Sequence, residues 1–203
     1  GLLGSGGMGQ VYEAVELALD RPVALKVISE SKMPATEQVD RFRREAKALA
    51  KINHPNVVTV YALGELQGTF YLSMELVRGP NLKQVLLSSV YTLEELYSYF
   101  GQLAEGLEAI HSAQVIHRDI KPANIFLPSG SKVKIGDFGL AQIDSGAENS
   151  ITGTGQVLGT LAYIAPETVL QCEHSPLSDV FSLGLVFFEL LSGFNPLKGS
   201  NDL

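Results

Sequence analysis

The chain has 203 residues, with 22 acidic against 15 basic side chains, a net charge of −7 and 45% hydrophobic content. That apolar share suffices for a packed core, in one domain or two small ones, and excludes a disordered chain. The acidic balance argues against nonspecific nucleic-acid binding and against a basic membrane-binding surface.

The single cysteine, Cys172, rules out an intrachain disulfide and fits a reducing cytosolic setting, most simply as a small buried or half-buried apolar residue. No basic-then-apolar leader is present, and the longest apolar run, residues 183–191, is broken by Glu189. The segment is therefore expected to be soluble and cytoplasmic, without membrane contact of its own; an anchor could lie outside it. It begins at Gly1 and stops at Leu203 in a polar stretch, so it reads as a fragment.

The opening segment LLGSGGMGQVY carries the spacing G-x-G-x-x-G-x-V at Gly4, Gly6, Gly9 and Val11, followed by a β-prone run to Val15. Glycines let a backbone approach phosphate closely and donate N–H groups without side-chain obstruction. The motif lies between two strand-like runs and does not lead from a strand into a helix. This disfavours a dinucleotide fold or P-loop and favours a flap over a nucleotide, with a plain glycine-rich hairpin as the bland alternative. Residues 23–28, VALKVI, read as a buried strand broken only by Lys26. Over residues 36–51, Val39, Phe42, Ala46 and Leu49 recur at helical spacing. Glu45 lies three residues after Phe42 and four before Leu49, which puts a carboxylate on the apolar face, where a charge is costly unless paired. Lys26 is the expected partner; otherwise Glu45 edges the helix beside Arg41 and Arg44. Residues 53–56, NHPN, form a turn with a structural His54, and residues 57–62 and 70–76 look like strands flanking the stretch 64–68.

Thr92 to Glu95, TLEE, fits a capping box. Leu93, Leu96, Tyr97, Phe100, Leu103, Ala104, Leu107 and Ile110 then repeat on one face and predict a helix to about Ser112. Short strands at 115–116, 125–127 and 133–135 would hold the stretch VIHRDIKPANI, residues 115–125, on a rigid platform. That stretch sets out an acid (Asp119), an amine (Lys121) and an amide (Asn124), and a further acid, Asp137, follows. Asp119 can accept a proton from a hydroxyl, Lys121 can neutralise phosphate charge, and Asn124 with Asp137 offers hard oxygens of the kind Mg²⁺ prefers. Residues 137–167 are rich in Gly, Ser and Thr with little periodicity. Residues 179–191 are apolar almost all round, as in a helix buried inside a lobe, with Asp179 at the start.

In this order and spacing the motifs resemble the eukaryotic-type protein kinases, and look most like the bacterial Ser/Thr-directed members. The likeness spans the chain and rests on the glycine loop, Lys26, the HRDIKPAN stretch, Asp137-Phe138-Gly139 and Ala165-Pro166-Glu167. It implies an α+β, two-lobed fold. Residues 1–77 would form a small antiparallel β-sheet lobe with one helix, and 78–203 a larger, mainly helical lobe lacking the family's last helices, with an activation segment at 137–167.

By the same resemblance, ATP would be held by Leu3, Gly4, Ser5, Gly6, Gly7, Met8, Gly9, Val11, Ala24 and Lys26. Met74 would guard the back of the adenine pocket, Glu75, Leu76 and Val77 would form the hinge, and Phe126 would lie below the base. Asp119 would orient and deprotonate the substrate hydroxyl, Lys121 and Lys26 would steady phosphates, Glu45 would pair with Lys26, and Thr160 would bridge Asp119 and Lys121. Asn124 and Asp137 would hold Mg²⁺, with Mn²⁺ as a substitute. Thr152 and Thr154 match threonines that bacterial members phosphorylate, here by the protein itself in trans, and Arg118 is the usual receiver of such a phosphate. Phe138, Gly139, Glu167 and Asp179 would be structural, with Asp179 tying down the catalytic-loop backbone; a charge favoured by the helix dipole is its simpler reading. The implied activity is an ATP-dependent serine/threonine protein kinase activated by loop phosphorylation, with protein substrates and no nucleic-acid partner. A pseudokinase or ATP-binding scaffold is the alternative, and a small-molecule phosphotransferase a third reading. Phe181, Leu185 and Phe188 are expected to expose an apolar patch.

Overall fold

Alternating apolar residues and glycine-marked turns build the N-terminal part of the chain into β1 (Leu2–Gly6), β2 (Gly9–Glu16), β3 (Arg21–Ile28), β4 (Val60–Leu66) and β5 (Thr69–Glu75). A computed structural model describes residues 1–6, 9–28, 39–86, 91–128, 132–139, 161–171 and 173–198. The five strands pair antiparallel in the order β1-β2-β3-β5-β4. In this register Val11 faces Lys26, Lys26 faces Leu72, and Ala24 faces Met74. Directly paired and alternate residues share a face. Val11, Ala24, Lys26, Leu72 and Met74 therefore line one side of the sheet, and Lys26 is only 5% exposed there.

Helix α1 (Val39–Leu49) buries Phe42, Ala46 and Leu49. The Phe42 ring stands 5.2 Å from that of Phe70 on β5, and Arg43 reaches Glu65 of β4 at 2.9 Å. β4 starts at Val60 and not at Val57, because the residues before it turn their backbone to another strand. Val58 donates to the Ile135 carbonyl and Ile135 donates to the Asn56 carbonyl, both at 2.8 Å. The Asn56 side chain adds a bond to the Val133 carbonyl at 2.9 Å.

The helical lobe contains α2 (Leu82–Leu86), α3 (Leu93–Ser112), α4 (Pro166–Gln171) and α5 (Pro176–Ser192), with two short strands, β6 (Ile125–Phe126) and β7 (Lys134–Ile135), paired with each other. The capping box of α3 is formed: Glu95 donates its N–H to Thr92 Oγ1 at 3.2 Å, and Thr92 donates its own to the Glu95 carboxylate at 2.8 Å. Its apolar residues form two stripes, where one was predicted. Leu96, Tyr99, Leu103, Gly106, Leu107 and Ile110 are buried. Leu93, Tyr97 and Ala104 are exposed on the neighbouring stripe, where Phe100 meets Phe187 of α5 with ring centroids 3.9 Å apart.

Helix α5 opens on a second capping box, Ser175 with Ser178, and on Pro176, three residues earlier than its apolar run suggests. It ends at Gly193, whose φ of +79° is the left-handed conformation that favours glycine at this position. Phe181 and Phe188 are exposed and Leu185 is half-buried. Among the described residues no helix is long and apolar enough to cross a membrane.

Candidate active site

Residues 115–116 form a loop where a strand was expected, because the next backbone donors go to a side chain. Asp179, in the first turn of α5, accepts the His117 N–H at 2.8 Å, the Arg118 N–H at 2.9 Å and a bond from His111 Nε2 at 2.9 Å. Burial would raise this carboxyl's pKa, but the bond from His111, the nearby His117 and the two backbone donors together hold it below the usual carboxylate value. The same bonds fix Arg118 with a φ of +68°, a strained conformation for a residue with a side chain.

His117, fully buried, joins this loop to the segment carrying Asp137. Asp119 donates its N–H to His117 Nδ1 at 3.2 Å, so the ring proton is on Nε2, which donates to the Gly136 carbonyl at 3.1 Å. Burial lowers the imidazole pKa, outweighing the attraction of Asp179 and Asp119. Gly139 donates to the His117 carbonyl at 3.1 Å, and the Phe138 ring centroid lies 4.9 Å from that of His117. A Cβ on Gly139 would lie 3.1 Å from the His117 carbonyl oxygen.

Around this scaffold the predicted polar residues converge. Lys121 Nζ and Asn124 Nδ2 each donate to Asp119 Oδ2 at 2.8 Å, and Asn124 Nδ2 also donates to the Asp119 carbonyl at 2.8 Å. Gly136 donates its N–H to the Asn124 carbonyl at 2.9 Å, which sets Asn124 beside the strand that leads to Asp137. The Asp137 carboxylate receives Lys26 Nζ, crossing from the inner face of the sheet.

This donor set fits a hard divalent cation. Asn124 uses its nitrogen for Asp119, which leaves its amide oxygen free of those bonds, and Lys26 engages one oxygen of Asp137. Among the described residues no three His, Cys, Asp or Glu side chains gather as a cage. A cation held here would take its remaining ligands from water or phosphate.

Glu45 departs from the expected pairing: it does not meet Lys26. Its two oxygens take the Arg118 guanidinium at 2.8 and 3.0 Å, with Arg41 at 3.4 Å. A planar guanidinium matches a carboxylate with two parallel bonds where an ammonium offers one, and Lys26 has Asp137 instead.

At the end of β5, Met74 is buried opposite Ala24 on β3, and Leu76 and Val77 are half-buried. Glu75 accepts the Thr59 N–H at 3.2 Å and Lys134 Nζ at 2.9 Å. Phe126 is brought under this segment by an Asn81–Phe126 bridge and by Leu127 donating to the Pro80 carbonyl at 2.9 Å. Gly79, at φ +148°, permits that approach, since a Cβ would lie 2.2 Å from the Leu127 oxygen. Leu3, Gly4, Ser5 and Gly6 are exposed on β1, with Gly6 paired to Gly9. Glu167 is half-buried in the first turn of α4. Gly7, Met8, Thr152, Thr154, Thr160 and Cys172 lie outside the described residues.

Sequence reasoning missed a polar knot beside the site. Glu189, buried on α5, receives the Tyr163 hydroxyl and Lys198 Nζ, the latter at 2.7 Å. Ser182 Oγ donates to the Tyr163 carbonyl at 2.7 Å and Asn195 to the Ala162 carbonyl at 3.2 Å, so α5 anchors the backbone around residues 162–163. A lone carboxylate in an apolar helix was the available signal, the same one that singled out Glu45.

The whole chain, residues 1–203, matches the protein kinase domain family. It is 42% identical over 208 residues to serine/threonine-protein kinase PknA of Mycobacterium tuberculosis (strain ATCC 25618 / H37Rv), covering all of this chain and 48% of that protein. It thus spans about half the length of that relative. Among solved structures, the PknI kinase domain of Mycobacterium tuberculosis superposes with a TM-score of 0.76 at 28% identity, covering 96% of this chain and 73% of that one. Rad53 in complex with AMP-PNP superposes at 0.79 and 32% identity, covering 100% and 49%.

Proposed function

The chain belongs to the protein kinase domain family, and from that premise we propose that it transfers the γ-phosphoryl group of ATP to Ser or Thr hydroxyls of proteins, in the cytoplasm. The observation that carries this reading is that Asp119, Lys121 and Asn124 form one hydrogen-bonded group and Lys26 with Asp137, 111 residues apart, a second, the two linked by the Gly136 N–H on the Asn124 carbonyl. Residues 1–77 would serve as the nucleotide lobe and 78–203 as the catalytic lobe. ATP would lie between the glycine loop with Val11 and Ala24 above and Phe126 below, its base edge read by the backbone after Glu75.

Asp119 accepts the proton of the attacking hydroxyl, and Lys121, already on its carboxylate, neutralises charge on the transferring group. Lys26 steadies the anchored phosphates. Mg²⁺, which Asn124 and Asp137 would hold, supplies charge neutralisation across the phosphates. His117 and Asp179 keep the loop in register, so Asp119 need not reorganise when substrate arrives. Thr152 and Thr154 are the proposed sites of phosphorylation by a second copy.

Incubation with labelled ATP and Mg²⁺ tests the assignment: Asp119→Asn should lose phosphoryl transfer by roughly 10²–10⁴-fold, the usual share of a general base, while still binding nucleotide. The rival, a nucleotide-binding scaffold without turnover, draws support from Glu45 resting on Arg118 and not on Lys26. Equal labelling of the two proteins would refute the role given to Asp119.

A further inference from the structure

Glu13 puts a carboxylate on the inner face of the five-stranded sheet. It follows Val11 by two residues on β2 and stands opposite Ala24 on β3, so by strand alternation it shares a face with Val11, Ala24, Lys26 and Met74. That face is the wall turned toward ATP in the kinase reading, where an unanswered negative charge would repel phosphate. The charge is answered by Arg78, three residues past the end of β5 and 65 residues along the chain, which donates from Nη2 to Glu13 Oε1 at 2.9 Å. The two ends of this ion pair are carried by different parts of the fold. Glu13 moves with the sheet, since β2 is paired to β1 on one side and to β3 on the other. Arg78 is tied to the strand β6, because Leu127 donates to the Pro80 carbonyl at 2.9 Å and Asn81 bridges Phe126. The side chains are 74% and 39% exposed, which places the contact at the solvent edge, open to screening by salt.

We propose that Arg78 and Glu13 form a clasp across the solvent edge of the nucleotide cleft, and that the closed clasp slows the release of bound nucleotide. The proposal rests on the kinase reading, which puts the nucleotide between Val11 with Ala24 above and Phe126 below, and it adds a pair of residues that sets how long the nucleotide stays. Both are positioning residues: they link the sheet to the segment that carries Phe126 and take no part in the transfer itself. Each partner is mounted on backbone already fixed by hydrogen bonds, so closing the clasp orders only two side chains. An exposed pair also opens readily, so nucleotide can still enter, and the clasp changes its residence by a few-fold without forming an absolute barrier.

The test is the release rate of a fluorescent ADP analogue bound with Mg²⁺ and chased by excess ATP in a stopped-flow instrument. It compares the protein with Glu13→Gln, Arg78→Gln, the double variant, and the charge swap Glu13→Arg with Arg78→Glu, with folding checked by thermal melts. Each single variant should release the analogue about two- to fivefold faster, the range of an exposed ion pair, and the double variant no faster than either single one. The swap should bring the rate back toward that of the parent, and about 0.5 M salt should raise the parent to the rate of the variants. Slower release from Glu13→Gln would mean that the carboxylate only repels the nucleotide, and additive effects would mean that the two residues act apart. Either result, or unchanged rates in folded variants, would overturn the clasp and leave the kinase reading standing. No binding of the analogue by any of these proteins would overturn both.

Discussion

His117 has no exposed surface and both ring nitrogens engaged, one accepting from Asp119 and one donating to Gly136. Protonation would place a second N–H against the Asp119 amide. Its pKa is accordingly lowered below the usual 6.5, first by burial, and that of half-buried His174 is lowered by burial and by Arg118. For a base whose folded pKa is depressed, the unfolded chain binds the extra proton first, so stability is complete above about pH 6.5 and is lost as pH falls below it. Asp179, held below 3.8, adds nothing in that window because it stays ionised in both states. Urea unfolding at about pH 7.5 and about pH 5.5 should therefore give a lower midpoint in acid, and His174→Gln should lessen the difference. A midpoint that rises on acidification would contradict the neutral assignment of His117.

Helix α3 carries two apolar stripes with different duties. Leu103 is fully buried, whereas Tyr97 is 73% exposed. Leu103→Ala should destabilise by about 2–5 kcal/mol through lost transfer energy and a residual cavity, and Tyr97→Ala should stay within about 0.5 kcal/mol. Equal losses for the two in denaturant titrations would mean that the stripe is misassigned. The capping box at Thr92 contributes about 1 kcal/mol and fixes where the helix begins. That start sets the phase of every later turn, including the one that delivers His111 to Asp179. Gly106 completes the placement, since a Cβ there would lie 2.9 Å from the Asn56 carbonyl oxygen. Close packing of α3 on the 53–56 turn thus positions the helix relative to β7.

Across the whole molecule, α4 and α5 present Leu170, Leu177, Phe181, Phe188 and Leu191 to solvent, continued by Phe194 and Leu197. An apolar face of this extent favours association. The 203-residue chain on its own should sediment as more than a monomer at micromolar concentration, and Leu177→Glu with Phe188→Glu should shift it toward monomer. A monomer unaffected by those substitutions would show that the face is not sticky. The polar junction is made by Asp119, Lys121, Asn124, Lys26 and Asp137, none of which belongs to this apolar set, so neutralising the patch should leave those bonds intact.

The sequence by itself determined β3 and β5, the long helix with its cap and the inventory of chemical groups, because periodicity, capping spacing and glycine placement act over a few residues. It also marked Glu45 as a carboxylate in need of a cation, and Glu189 only as a break in an apolar run. Which cation each one found was decided only by tertiary structure: Arg118, 73 residues along the chain, took Glu45, and Lys198 and Tyr163 took Glu189. Spacing fixes the face a side chain occupies, but an ion pair depends on approach distance, bond geometry and exclusion of water. Those are set when the sheet and helices pack, and no local pattern encodes them.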